Sequence, residues 1–126
     1  MTLLLIGAAG FAGAIARYLL DQGVTGALGS AFPWGILLVN LSGSFALGLL
    51  FALTTERQLL PESIRAPVFI GFLGAYTTFS TLTLDTVRLA ERGDWTAAIA
   101  NAAGSMLLGL LAVVAGLALG RQLAAS

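Results

Sequence analysis

The sequence predicts an all-α integral membrane protein of four transmembrane helices, the third broken near its middle. Three observations carry that prediction. Of 126 residues, 58% are hydrophobic and only 10% are charged, where a soluble domain carries about 25% charged residues. The apolar residues fall into four long blocks, and crossing a bilayer takes about 20 such residues per helix. The third block also holds a stretch unsuited to an unbroken helix. Gly71 and Gly74 are followed there by the hydroxyl side chains Thr77, Thr78, Ser80, Thr81 and Thr83. Hydroxyls bond to nearby backbone groups and compete with the helical ladder. In a membrane, backbone released from that ladder survives only where protein buries it or where it lines a wet cavity.

The chain reads as one four-helix transmembrane domain over 1–126, with spans at about 3–20, 34–53, 67–90 and 95–120, and a break near 74–80. The first span carries Gly7, Gly10 and Gly13 at a spacing of three, a smooth surface for close helix packing. A cleaved leader is the rival reading of this block. No positive segment precedes it, so a retained helix is expected. Arg17 and Tyr18 then mark an interface, by basic and aromatic anchoring. A Gly-rich connection over 21–32 leads to Pro33 and Trp34, a proline suited to a first helical turn and an interfacial anchor. The second span centres on Asn40, with Ser42, Gly43, Ser44 and Gly48 as a small-residue face. A polar loop with Pro61 precedes the third span, which turns amphipathic through Asp85, Arg88 and Glu91. Arg92, Gly93 and Asp94 make a tight connection to the fourth span, where Gly116 and Gly120 form a GxxxG packing pair.

The composition excludes much. There is no cysteine, no histidine and no lysine, so disulfides, thiolate sites and the usual proton shuttle are absent. An enzyme is not expected. Formal net charge is zero, and no polybasic arm points to nucleic acid. Four spans put both termini on one side. Arg57, Arg65 and Arg121 fall with them; Arg17, Arg88 and Arg92 fall opposite. This balance leaves the positive-inside rule nothing to act on, and insertion in both orientations is expected. Four helices fill their own core, so a permeation pathway needs an oligomer, most simply an antiparallel dimer.

The polar residues inside the apolar blocks are neutral. Asn40 needs partners or water at its depth, either as interhelical glue or as part of a pathway. Asn101 and Ser105 share a face at i, i+4, with Gly109 one turn on. No carboxylate lies within an apolar block, which disfavours proton- or cation-coupled transport, including small multidrug exporters of similar size. What remains is amides, hydroxyls and weakly positive ring edges, a set that favours an anion. A purely structural membrane protein is the other alternative, and it predicts no ion flux.

Three segments together resemble the small dual-topology fluoride channels of the Fluc family, also called CrcB proteins. They are Gly10 to Tyr18 with Arg17, Val39 to Phe45 with Asn40, and Gly71 to Thr81 with Thr77, Thr78 and Phe79. The resemblance implies an antiparallel homodimer in the prokaryotic plasma (inner) membrane, exporting fluoride passively through two interfacial pores. It implies that Asn40 is a pore-lining amide and that Phe79 turns its ring edge to the anion. Ser80 and Thr81 would offer hydroxyls nearby, Asn101 and Ser105 would continue the track, and Arg17 would lie at the approach. Carbonyls near Gly74 and Thr77 would hold a structural sodium ion on the dimer axis, as unwound backbone does elsewhere. Three positions depart from the family pattern. Leu82 stands where a second phenylalanine is common, Gly109 where a serine is common, and Ile36 where a threonine often lies. Three readings stay open: slower conduction, heavier reliance on Asn40 and Asn101, or a pathway altered in one of the paired subunits.

Overall fold

Helix α1 runs unbroken over Thr2–Leu28 and ends at Gly29, whose φ of 82° is the left-handed turn that stops it. A computed structural model describes residues 1–56, 58–59 and 61–123; Arg57, one of the arginines counted above, lies outside the described residues. The helix is longer than the expected 3–20. Gly23 and Gly26 weaken a helix without forbidding it, and the first residue to adopt a positive φ is Gly29. Arg17 and Tyr18 therefore sit inside the helix rather than at its end.

The second span begins after Pro33 as α2 (Trp34–Phe51) and continues as a π-helical turn over Ala52–Glu56. The third span covers Glu62–Glu91. It opens with a 3₁₀ turn, Glu62–Ile64, and a wide π-helical stretch, Ala66–Leu73, then narrows to the single turn α3, Gly74–Tyr76. The helix stops at Thr77 and resumes as α4, Phe79–Glu91. Thr77 and Thr78 are extended, with ψ of 156° and 116°. The expected break is therefore present, at the paired threonines. Gly93, at φ 82°, makes the turn into α5, Trp95–Leu123. The Asp94 carboxylate accepts the Ala97 N–H at 3.0 Å, as an N-cap aspartate does.

All four spans are long and apolar enough to cross a membrane. Large apolar side chains stand exposed along each of them, including Phe11, Leu47, Ile70, Leu107 and Leu111. Such a surface is stable only in lipid or against another protein.

Within the chain, small residues let backbones touch. A methyl group added at Gly48 would meet the Val113 carbonyl, and one at Gly116 the Phe45 carbonyl. At Gly120 it would lie 2.8 Å from the Leu49 carbonyl oxygen. These three glycines seat α2 directly on α5. The stripe expected on α1 is used in part: Gly13 abuts the Phe72 carbonyl, whereas nothing lies within 4 Å of a methyl at Gly7. On the facing segment, a methyl at Gly71 would lie 2.6 Å from the Ile6 carbonyl oxygen. Gly43 brings α2 against the Thr77 methyl and the Tyr76 ring, and so places Asn40 beside the break.

Candidate functional site at the helix break

Thr78 is extended and is the N-cap of α4, so its N–H lies outside any helical ladder and its C=O stands at the open first turn. Both find the same side chain. The Thr78 N–H donates to Asn40 Oδ1 at 2.8 Å, and Asn40 Nδ2 donates to the Thr78 carbonyl at 3.0 Å. A carboxamide carries the donor and acceptor of a peptide group, so Asn40 completes the backbone that the break leaves open. The Thr78 hydroxyl caps α4, accepting the Thr81 N–H at 3.2 Å. It also contacts the hydroxyls of Ser80 at 3.3 Å and Thr81 at 3.0 Å. On the other side of the break, the hydroxyls of Ser42 and Tyr76 share a hydrogen bond of 2.7 Å. Helix α2 thus grips the third span both before and after its interruption.

A groove of about 300 Å³ opens beside the break. Asn40, Ser44, Thr77 and Thr78 form one side, Phe79 and Leu82 the next, and Ser105, Gly109 and neighbouring apolar residues of α5 the third. Among the described residues, no ionisable side chain lines it. Of the residues singled out from the sequence, the groove gathers Asn40, Thr77, Phe79, Leu82 and Ser105. Phe79 is 72% exposed and projects away from the chain's own core. Ser105 is only 7% exposed, and its hydroxyl has no hydrogen-bond partner among the described residues.

Other expected residues are placed elsewhere. Asn101 is 1% exposed, wedged between α5 and α4. Its Nδ2 donates to the Thr86 hydroxyl at 2.9 Å and, at 3.4 Å, to the Leu82 carbonyl, while Oδ1 has no hydrogen-bond partner among the described residues. Ser80 stays exposed at the start of α4. Thr81 and Ile36 line a second cavity, about 270 Å³, with Asp21, Asp85, Arg88 and Arg92. Asp85 lies toward the amphipathic end of the third span, and Asp21 falls inside the longer α1. Arg17 is half-buried and borders neither cavity. Thr78, Tyr76 and Ser44 were not expected as site residues. The run of hydroxyls and the segment Gly71 to Thr81 both included Thr78, and neither separated that residue from its neighbours.

The expected sodium site is corrected. Among the described residues, no group of three or more His, Cys, Asp or Glu could hold a metal ion. Gly74 keeps helical angles, φ −64° and ψ −35°, so its backbone is not unwound toward a cation. The Thr77 N–H and hydroxyl both donate to the Leu73 carbonyl, at 3.0 and 2.9 Å. The break falls at Thr77 and Thr78, beyond Gly74, and the Asn40 side chain bonds the Thr78 N–H and C=O there.

Comparison with known proteins agrees with this architecture. A family model described as CrcB-like protein, Camphor Resistance (CrcB), matches residues 4–117. The chain is 51% identical over 112 residues to a protein of Magnetococcus marinus named Fluoride-specific ion channel FluC, covering 89% of this chain and 91% of that one. It is 50% identical over 121 residues to Fluoride-specific ion channel FluC 1 of Symbiobacterium thermophilum, covering 95% and 98%. It is 42% identical over 122 residues to the FluC of Geobacter sulfurreducens, covering 97% and 98%. These relatives are named as channels, and the chain is not an enzyme. With the match running through all four spans, the chain belongs to the CrcB family, as a multi-pass protein of the inner membrane.

Proposed function

We propose that the protein conducts fluoride passively and selectively out of the cell, through pores at the interface of an antiparallel homodimer. The observation that carries this reading is the groove at the break, lined by an amide, hydroxyls and an aromatic ring and by no ionisable group. Conducting a small, strongly hydrated anion requires replacing its hydration without holding it too tightly to leave. Neutral donors suit that requirement better than a buried guanidinium, and the names of the relatives support fluoride as the anion.

In a single chain the groove is open on the side where Phe79, one of its lining residues, stands exposed. A second copy supplies the opposite wall. Balanced arginines on the two sides of the membrane favour an antiparallel arrangement of the two. In this reading Asn40, Phe79, Leu82 and Ser105 border the ion's route. Ser80 and Thr81 sit at the start of α4, and Arg17 lies at the approach. Asn101 acts from behind, tying α4 to α5 so that Leu82 and Ser105 keep their spacing.

Purified protein in liposomes tests the proposal. With a fluoride-selective electrode, fluoride efflux is expected well above that of protein-free vesicles, and chloride efflux at background. In the same vesicles, an impermeant thiol reagent should reach a cysteine placed at the N-terminus from both sides of the membrane. Absence of fluoride efflux defeats the functional reading; one-sided labelling defeats the antiparallel one.

Leu82 gives a gain-of-function check. Leu82→Phe adds a second ring edge to the groove and is expected to raise the fluoride rate about threefold, on the scale of 0.5–1 kcal/mol for one such contact. A rate equal to or below the parent's would show that the leucine is not what limits conduction.

A further inference from the structure

Accepting the fluoride reading above, we propose that Asn40 is a positioning residue. Its carboxamide replaces the missing peptide partner of Thr78 and holds the third span broken, and conduction depends on that splint rather than on an amide proton offered to the anion.

Geometry carries the argument. Asn40 bonds the N–H and the C=O of one residue simultaneously, at 2.8 and 3.0 Å. A group whose task was to meet the anion would keep its donors free. Here the Asn40 carbonyl and one of its two N–H groups are engaged by protein. Thr78 is 7% exposed, so its backbone groups have little water to turn to. Its third polar group, the hydroxyl, caps α4 through the Thr81 N–H. Fixing Thr78 at all three polar groups fixes where α4 begins, and therefore where Phe79, the next residue, points.

The neighbouring contacts serve the same end. Gly43, one turn along α2, lets the Thr77 methyl approach closely. Ser42 holds Tyr76 through the shared hydrogen bond of 2.7 Å. Residues 40, 42 and 43 therefore engage residues 78, 76 and 77. Helix α2 is a template laid against the break, and Asn40 is the member of it that replaces backbone hydrogen bonds. Leucine, serine or alanine could not do so, because none of these places a donor and an acceptor side by side at that reach.

Aspartate separates the two roles. A protonated carboxyl presents one acceptor and one donor, enough to bond the Thr78 N–H and C=O, and no spare proton for an anion. An ionised carboxylate has acceptors only and opposes the Thr78 carbonyl. Fluoride efflux of Asn40→Asp should therefore be measured beside the parent protein from about pH 8 to about pH 5, a window that covers a carboxyl in apolar surroundings. Protein-free vesicles set the background of hydrogen fluoride leakage at each pH.

The splint predicts a variant rate at least about tenfold below the parent at pH 8, equivalent to one unsatisfied buried group. It predicts recovery to within about threefold as the carboxyl protonates at lower pH. A variant that stays folded by size-exclusion chromatography but never recovers overturns the proposal, because the second amide proton is then what conduction needs. Melting of the detergent-solubilised protein supplies a readout independent of flux. The gap in midpoint between variant and parent should close as the pH falls, and a gap that stays open also overturns the splint. If the parent itself conducts no fluoride, the channel reading fails, while the melting comparison still judges Asn40.

Discussion

Fluoride efflux from Asn40→Leu is expected to fall by about a hundredfold or more. The leucine removes both partners of Thr78. Each orphaned backbone group costs about 1–3 kcal/mol when buried, and 1.4 kcal/mol corresponds to a factor of ten. The chain has a less costly escape than unfolding: Thr77 and Thr78 rejoin the helical ladder, and the third span straightens. That rearrangement turns Phe79 and the start of α4 about the helix axis and removes the groove. The other helix contacts do not pass through Asn40. The variant should therefore keep its helical content and its elution position while losing transport. Efflux near the parent's rate would remove Asn40 from the pathway and from its support alike.

The second large effect concerns assembly of the chain itself. Gly116→Val is expected to abolish recovery of monodisperse protein, because the added Cβ falls on the Phe45 carbonyl of α2 and within 2.8 Å of the Leu49 nitrogen. Backbone cannot rotate aside as a side chain can, so the two helices must separate. Overpacking of this kind costs about 3 kcal/mol, concentrated where α2 and α5 meet. Gly104→Ala is the matched control on the same helix, since nothing lies within 4 Å of its added methyl. Thermal unfolding followed by size-exclusion chromatography should separate the two variants clearly. Equal midpoints would show that α2 and α5 do not pack through these glycines.

The two predictions act on different parts of one structure. Gly48, Gly116 and Gly120 set how near α2 lies to α5, and that spacing puts Ser105 across the groove from Asn40. Asn40 then sets where the third span breaks. A loss at the first level removes the frame, whereas a loss at the second leaves the frame and empties the site of its geometry.

The charged cavity alongside α4 follows a separate logic. Asp21 and Asp85 share it with Arg88 and Arg92, so its charges are mixed, unlike the uncharged groove beside the break. Asp21 follows an apolar block that reads as ending near Leu20, and Asp85 precedes an amphipathic turn. The continuation of α1 to Leu28 brings Asp21 within the length of the first span, where it shares the cavity with Asp85.

The sequence by itself determined the class of protein and most of its plan. Long apolar blocks with few charges leave a bilayer as the only solvent that suits them, and that inference needs no neighbours. The break was legible for a related reason. Glycines followed by crowded hydroxyls weaken a helix locally, whatever packs around it. The motifs around Arg17, Asn40 and Phe79 were also local, and they led to the family.

Tertiary structure decided how each polar group is used, because a hydrogen bond depends on what lies opposite. Asn40 and Asn101 look alike in sequence, each an amide in an apolar helix. One faces an interrupted backbone and completes it; the other faces the Thr86 hydroxyl and ties two helices. Gly74, expected to open toward a sodium ion, keeps helical angles, and the chain gives way at Thr77 and Thr78, where Asn40 stands ready. Within residues 71–81, the Thr78 hydroxyl contributes to that choice by capping α4, but it does not act alone. The rest comes from α2, some 38 positions away along the chain, held against the break by the missing side chain of Gly43.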